Sequence, residues 1–142
     1  MSIKKWAGLG CCLLTIMLVG CSTQIPTQGY AGALTAWSGT LTTLSNDFQA
    51  SDAFTSAGAD RIAKEYQTSL TQLKAIQAPV ELAPAHAAFV AVMETGTGIM
   101  DSLKQAVSDG NRAKFEQVKA QYTQWLTALK TAGSLIGLKI GG

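Results

Sequence analysis

A single histidine, His86, is the side chain of this 142-residue sequence best suited to acid–base chemistry or to metal binding. Either role requires a second group, and a partner on the same helix has to lie three or four positions away. No His, Cys or carboxylate occupies those positions, and on a helical wheel Glu81, Glu94 and Asp101 point about 60° to 140° away. The spacing favours a half-buried structural histidine that bonds across to a neighbouring helix. Catalysis through His86 and a carboxylate is the alternative.

Other chemical sites lack their required residues. Covalent haem attachment needs Cys-x-x-Cys-His, which is absent, and an axial Met/His pair needs ligands on different helices. Met93 and Met100 share one predicted helix with His86 and are better interpreted as core residues. No Glu-x-x-His motif is present, and the Gly-containing segment 95–98 lacks the Lys of a phosphate-binding loop. We therefore expect no cofactor, no metal and no enzymatic activity.

All three cysteines lie within the first 21 residues. Two lysines, at positions 4 and 5, precede an apolar stretch that is shorter than the roughly 20 residues needed to span a bilayer. The stretch ends in Leu18-Val19-Gly20-Cys21, and polar residues follow at once. A charged start, a short apolar core and small residues at the end are typical of a secretory signal.

The ending Leu18-Val19-Gly20-Cys21 resembles the lipobox of bacterial lipoproteins, in which an aliphatic, a small or β-branched and a small residue precede Cys. The resemblance implies a signal peptide over 1–20, cleavage between Gly20 and Cys21, and a diacylglyceryl thioether on Cys21. In many species fatty acid such as palmitate is also added to the new amino terminus. Two acyl chains hold a protein stably on a membrane. We expect a lipid-anchored protein on the extracytoplasmic side of a bacterial membrane, and Ser22 favours the outer membrane if the cell is Gram-negative.

Removal of residues 1–20 changes the chemistry of the chain. Cys11 and Cys12 leave with the signal and Cys21 is acylated, so no thiol or disulfide remains. Lys4 and Lys5 also leave, which leaves nine basic and nine acidic residues. A neutral chain does not support nucleic-acid binding. Thiol, redox and Cys-ligated metal chemistry are excluded as well.

Apolar residues recur at alternating spacings of three and four in four stretches of the remaining chain, which predicts four amphipathic helices. We expect helices over about 30–50, 57–77, 81–108 and 111–136. Short connections predict an all-α, antiparallel, up-down-up-down four-helix bundle over 30–136. Residues 21–29 are expected to be the lipidated Cys and a tether, and 137–142 a loose tail.

A second similarity supports the helical hairpin. Leu73-x-x-Ile76-x-x-Pro79, followed by His86-x-x-Phe89, resembles a pattern in small bacterial lipoproteins of unknown function. In those proteins one helix ends at Pro and the next begins with His. The resemblance implies no activity.

Gly96 lies within the third predicted helix, on the same row as Phe89 and Leu103, and a mild kink at this position is one interpretation. A glycine costs a helix about 1 kcal/mol relative to alanine. We predict that Gly96 leaves room for Trp37 or Trp125 to pack closely.

Taken together, these features predict a lipid-anchored, non-enzymatic helical module that acts in protein interaction or envelope structure, with an envelope protein as a possible partner. The alternative is a lipoprotein that binds a small apolar ligand, lipid or peptide between its helices. Its candidate lining residues are Trp37, His86, Met93, Met100 and Trp125. An apolar pocket of several hundred Å³ would favour the alternative, whereas a filled core would favour the interaction module. The sequence leaves the oligomeric state open.

Overall fold

The computed structural model describes residues 27–140, and these residues form an all-helical bundle without strands. The predicted signal peptide, Gly20 and the lipidation residue Cys21 lie outside the described residues, as do positions 141 and 142. Five α-helices and one short 3-10 turn follow one another, with bounds α1 (Thr27–Gln49), α2 (Ser56–Ala75), the turn (Val80–Leu82), α3 (Ala83–Thr95), α4 (Thr97–Ser108) and α5 (Arg112–Ser134). No helix among the described residues is long and apolar enough to cross a membrane.

Local side-chain chemistry fixes where α2 and α5 begin. The Thr55 hydroxyl accepts a hydrogen bond from the N–H of Gly58 at 3.0 Å, and the Asn111 side chain accepts one from the N–H of Lys114 at 2.9 Å. Each bond satisfies a helix N–H that lacks a partner within the helix. Gly110, with φ of 61°, makes the reversal between α4 and α5 in a conformation that favours glycine.

The third predicted helix, 81–108, is divided at Gly96 into α3 and α4. At the division the N–H of Gly96 bonds to the Met93 carbonyl at 3.1 Å, three residues back instead of four. The Val92 carbonyl accepts the indole N–H of Trp125 at 2.9 Å, and the Met93 carbonyl accepts the Tyr66 hydroxyl at 2.5 Å. Side chains from α5 and α2 therefore occupy acceptors of the helix ladder, a recognised cause of helix kinks.

Side-chain contacts join the helices along their length. Between α1 and α2, the Trp37 indole donates to the Ser69 carbonyl at 2.8 Å, and Arg61 Nε lies 3.5 Å from Asp47 Oδ1. Farther along, the rings of Phe48 and Tyr122 stack with centroids 4.1 Å apart, which joins the end of α1 to α5. Aromatic side chains thus link the helices around one continuous core.

Both ends of the bundle differ from the sequence expectation. The helix α1 begins at Thr27, so positions 27–29, expected to belong to the tether, are helical. The described part of the expected loose tail is packed: Leu138 is 6% exposed, and its N–H bonds to the Gly133 carbonyl at 2.9 Å. Gly137, with φ of 75°, allows this closure, which is the Schellman arrangement of a helix end.

Candidate functional site

A cleft of about 400 Å³ opens between α1 and α2. Hydroxyl, amide and charged side chains line it, namely Thr40, Thr43, Arg61, Lys64, Glu65, Thr68, Ser69 and Gln72. We call this feature the α1–α2 cleft. Its side chains offer hydrogen-bond donors and acceptors beside an apolar surface formed by their aliphatic parts.

Helical spacing places the lining of α2 on one side of that helix. Arg61, Glu65, Thr68 and Gln72 recur at intervals of four, three and four, whereas Tyr66 and its neighbours on the other side are buried. Residues at these intervals share a helix face. One amphipathic helix therefore supplies both a polar wall to the cleft and an apolar wall to the core.

Two carboxyl groups meet beside the cleft, Asp47 from α1 and Glu65 from α2. One oxygen of each, Asp47 Oδ2 and Glu65 Oε2, is buried and has no hydrogen-bond donor. Burial, followed by the hydrogen bond and the charge of Asp47, raises the pKa of Glu65 to about 7, and the charge of Arg61 opposes the rise. Two adjacent carboxylates cannot both ionise cheaply, so Glu65 keeps its proton to a higher pH than an isolated carboxyl group does. The protonated Glu65 donates a hydrogen bond to Asp47, and this one bond gives each carboxyl group a partner.

Arg61 positions this pair from the same face of α2. Its guanidinium donates two hydrogen bonds to the Asp52 carboxylate, at 2.8 Å and 2.9 Å, and the Arg61 hydrogen bond lowers the pKa of Asp52. The third nitrogen lies 3.5 Å from Asp47 Oδ1. A planar guanidinium suits such multiple carboxylate contacts. Arg61 therefore connects the loop 50–55, the end of α1 and the start of α2.

The α1–α2 cleft can bind polar groups and exchange a proton near neutral pH. A carboxyl group with a pKa near 7 is suited to general acid–base work. The nearby hydroxyls are already bonded, since Thr40 lies 2.6 Å from the Ser69 hydroxyl and 2.7 Å from the Trp37 carbonyl. Within residues 27–140 no three His, Cys, Asp or Glu side chains group together as metal ligands.

Three of the residues proposed to line an apolar site are instead packed in the core. Trp37 is 3% exposed and its indole donates to the Ser69 carbonyl, while Met93 is fully buried. Trp125 is 6% exposed and donates to the Val92 carbonyl. Both indole donors are therefore used within the fold.

His86 and Met100 complete the set of proposed lining residues. His86 is 8% exposed, and its Nδ1 lies 2.8 Å from the Tyr30 hydroxyl of α1. Burial lowers the pKa of His86, and a backbone hydrogen bond at Leu73 opposes that shift. The predicted structural histidine bonded across the bundle is confirmed, although it is buried and not half-buried. Met100 is 3% exposed and borders a shallow cleft with Asp60 and Lys104.

The sequence expectation about Gly96 is confirmed for Trp125. A Cβ at Gly96 would lie 2.9 Å from Trp125 Cε2 and 2.8 Å from Tyr66 Cε2. Trp37 packs elsewhere, edge-on to Phe89 with ring centroids 5.4 Å apart. Tyr66, Gly96 and Trp125 thus form a tightly filled region, which we call the aromatic junction.

Sequence reasoning did not identify the carboxyl pair. Asp47 and Glu65 belong to different helices, and each alone looks like an ordinary solvent-facing charge. Two weak signals exist: Asp47 is the first charge in α1, and Arg61 and Glu65 share a helix face with hydroxyl and amide residues.

Comparison of the chain with protein-family models, with curated proteins and with solved structures gave no match.

Proposed function

We propose that this protein is a lipid-anchored, non-enzymatic helical module on the extracytoplasmic side of a bacterial membrane, acting in protein interaction or envelope structure. The anchor is the acylated Cys21, which the lipobox-like Leu18-Val19-Gly20-Cys21 supports. Ser22 supports the outer membrane in a Gram-negative cell.

The packing of the aromatic junction is the observation that carries this proposal. Even one added carbon at Gly96 would come within 2.8 Å of Tyr66 and 2.9 Å of Trp125. An apolar ligand between the helices needs a cavity of several hundred Å³. Filled space at this level of the bundle, together with indole donors already used by carbonyls, favours recognition at the surface over storage of a ligand inside.

The α1–α2 cleft is the surface that we propose for an envelope partner. It is concave, and Lys64 and Thr68 are exposed along it. A polar segment of a partner protein can exchange its hydrogen bonds with water for bonds to these side chains. We also propose that α1, α2, the bent pair α3–α4 and α5 alternate in direction, up-down-up-down. The contact Asp47–Arg61, which joins the end of α1 to the start of α2, and the contact Asp60–Lys104, which joins the start of α2 to the later part of α4, support this arrangement.

Acyl labelling in cells tests the anchor. The full chain, expressed in a bacterium supplied with a clickable palmitate analogue, should carry the label and sediment with membranes. Cys21→Ala should lose the label, because no acceptor thiol remains at the processing site. Cys12→Ala is the matched control and should behave as the parent chain. A labelled, membrane-bound Cys21→Ala protein would overturn the anchor.

Site-specific photocrosslinking in intact cells tests the partner. A photoreactive residue placed at Thr68 in the cleft should give a discrete protein adduct that mass spectrometry identifies. The same residue at Thr123, on the exposed side of α5, is the matched control and should not give that adduct. Equal adducts at both positions, or none at Thr68, would contradict the cleft as the partner surface.

A further inference from the structure

The start of α1 lies at the same end of the bundle as the start of α3 and the end of α2. Tyr30 and His86 lie 2.8 Å apart at their polar atoms, and Tyr30 borders a surface cleft with Ile76. The end of α5 joins them, because a Cβ at Gly133 would lie 3.4 Å from the Phe89 ring. We call this end, comprising residues 27–36, 73–91 and 130–140, the tethered end.

The surface of the tethered end is apolar and has few charges. Helix α1 has no charged side chain before Asp47, and α3 has none from Ala83 to Met93. Val80 is 84% exposed and Leu135 is 69% exposed, and they are the large exposed hydrophobic residues of the described chain. The exposed apolar side chains of this end include Val80, Ala83, Pro84, Ala87, Ala88 and Leu135.

The opposite end of the bundle is rich in charged side chains. Charged side chains are concentrated in 47–65 and 101–119, where several form ion pairs such as Asp60–Lys104 at 3.1 Å. The tethered end carries only Lys74, Glu81, Lys130 and Lys139. Lys74 forms an ion pair with Glu94, so Lys130 and Lys139 against Glu81 leave an excess of one positive charge, which is complementary to anionic lipid headgroups. Charge is thus segregated along the axis of the bundle.

The distance to the anchor identifies what covers this apolar end. This inference rests on the proposed acylation of Cys21. Only residues 22–26 separate that anchor from the start of α1. Six steps of about 3.5 Å allow a reach of roughly 20 Å, so α1 must start close to the bilayer. Apolar side chains near an interface gain free energy by entering it.

We propose that the tethered end rests on the bilayer surface, with Val80, the exposed side of α3 and Leu135 in the interfacial layer. The lipid surface is then a second contact of this protein besides its acyl chains. The orientation directs the charged end, residues 47–65 and 101–119, away from the membrane.

Paramagnetic NMR on nanodiscs tests this docking without relying on acylation in cells. The described residues 27–140 close their own core, so a chain starting at Cys21 keeps this bundle. Its single thiol is coupled to a maleimide lipid in phosphatidylcholine–phosphatidylglycerol nanodiscs that contain a gadolinium-chelate lipid. The amide signals of Val80 and Leu135 should lose at least about twofold more intensity than those of Gly110 and Asn111.

Paired charge substitutions provide the control. Val80→Asp with Leu135→Asp should reduce the difference between the two ends to the part that the tether alone produces, whereas Ser108→Asp with Gln117→Asp, at exposed positions of the opposite end, should preserve it in full. Equal signal loss at both ends in the parent chain would overturn the docking proposal. That result is independent of palmitate labelling in cells, so failure of the docking and failure of the anchor are separate outcomes.

Discussion

The two sides of α2 differ sharply, although Glu65 and Tyr66 are adjacent in the chain. Tyr66 faces the aromatic junction, is fully buried and donates its hydroxyl proton to a main-chain carbonyl. Glu65 faces the α1–α2 cleft and leaves one buried oxygen without a donor unless a proton is present. The Tyr66 side is held by fixed donors and acceptors, whereas the Glu65 side depends on pH.

The difference shows which side of α2 stabilises the fold at every pH and which side makes the stability depend on pH. At the aromatic junction the donors are a phenol and an indole, which keep their protons across the physiological range; burial raises the pKa of Tyr66 still further. In the cleft, burial and the neighbouring Asp47 raise the pKa of Glu65 to about 7, so the proton on Glu65 leaves near neutral pH. We expect mutations at the junction to change the free energy of unfolding at every pH, and mutations of the carboxyl pair to change it only above a threshold pH.

The largest effect is expected from overpacking the aromatic junction. Gly96→Leu should lower the free energy of unfolding by about 3 kcal/mol, because added atoms must displace two rings that already lie within 3 Å of the missing Cβ. The melting temperature should fall by about 10 °C in a thermal melt followed by circular dichroism. Gly98→Leu is the control, since no atom lies within 4 Å of its Cβ position. An unchanged melting temperature for Gly96→Leu would show that the aromatic junction can rearrange to accommodate the added side chain.

A smaller loss of unfolding free energy is expected when the aromatic junction keeps its packed volume but loses one hydrogen-bond donor. Tyr66→Phe leaves the buried Met93 carbonyl without its side-chain partner and should cost about 2 kcal/mol in urea unfolding at any pH from 5 to 8. Tyr122→Phe is the comparison, because its hydroxyl bonds at 2.8 Å to the partly buried Ser45 hydroxyl, which can rotate to another partner. If Tyr122→Phe lowers the free energy of unfolding more than Tyr66→Phe does, the bond from Tyr66 to the Met93 carbonyl is not the more stabilising of the two.

The smallest effect concerns the pH dependence of the cleft. The pKa of Glu65 is raised from 4.5 in the unfolded chain to about 7 in the fold, so the native state binds the additional proton in this interval. The contribution of Glu65 to the free energy of unfolding is therefore greatest below pH 4.5. It falls as the pH rises to about 7 and is constant above that pH. With solvent screening included, the fall should be about 1–2 kcal/mol.

Glu65→Gln should remove that fall, because an amide donates to Asp47 at every pH. The variant should be more stable than the parent at pH 8 and similar to it at pH 4.5, as measured by urea unfolding across the series. Glu116→Gln, whose carboxylate is 57% exposed on α5, is the control and should keep the parental curve. If the free energy of unfolding of Glu65→Gln varies with pH as it does in the parent chain, the proton on Glu65 does not contribute to stability.

Much of the fold could be predicted from the sequence. The alternation of apolar residues at intervals of three and four predicted helices at 30–50, 57–77 and 111–136, and the structure has helices at Thr27–Gln49, Ser56–Ala75 and Arg112–Ser134. The division at Gly96 was not predicted, because a continuous helix over 81–108 was expected. Its cause could not be read from the sequence either, because the Tyr66 and Trp125 donors come from helices distant in sequence.

The functional residues were predicted less well. His86 was correctly interpreted as structural, because the absence of a partner at helical spacing is visible in the sequence. The ligand-lining hypothesis selected Trp37 and Trp125 for their size, and both indoles donate to carbonyls inside the core. The packed Leu138 was missed because a glycine-rich ending does not reveal that Gly137 closes a helix cap.

By itself the sequence determined the helices, the uncharged start of α1 and the uncharged α3, because periodicity and charge can be read along one chain. Only the tertiary structure decided that Glu65 lies beside Asp47, which raises the pKa of Glu65, and that Gly96 faces two aromatic rings. The reason is register. Amphipathic spacing fixes which face of a helix is buried, but the axial position of one helix against the next depends on how side chains from distant segments pack together.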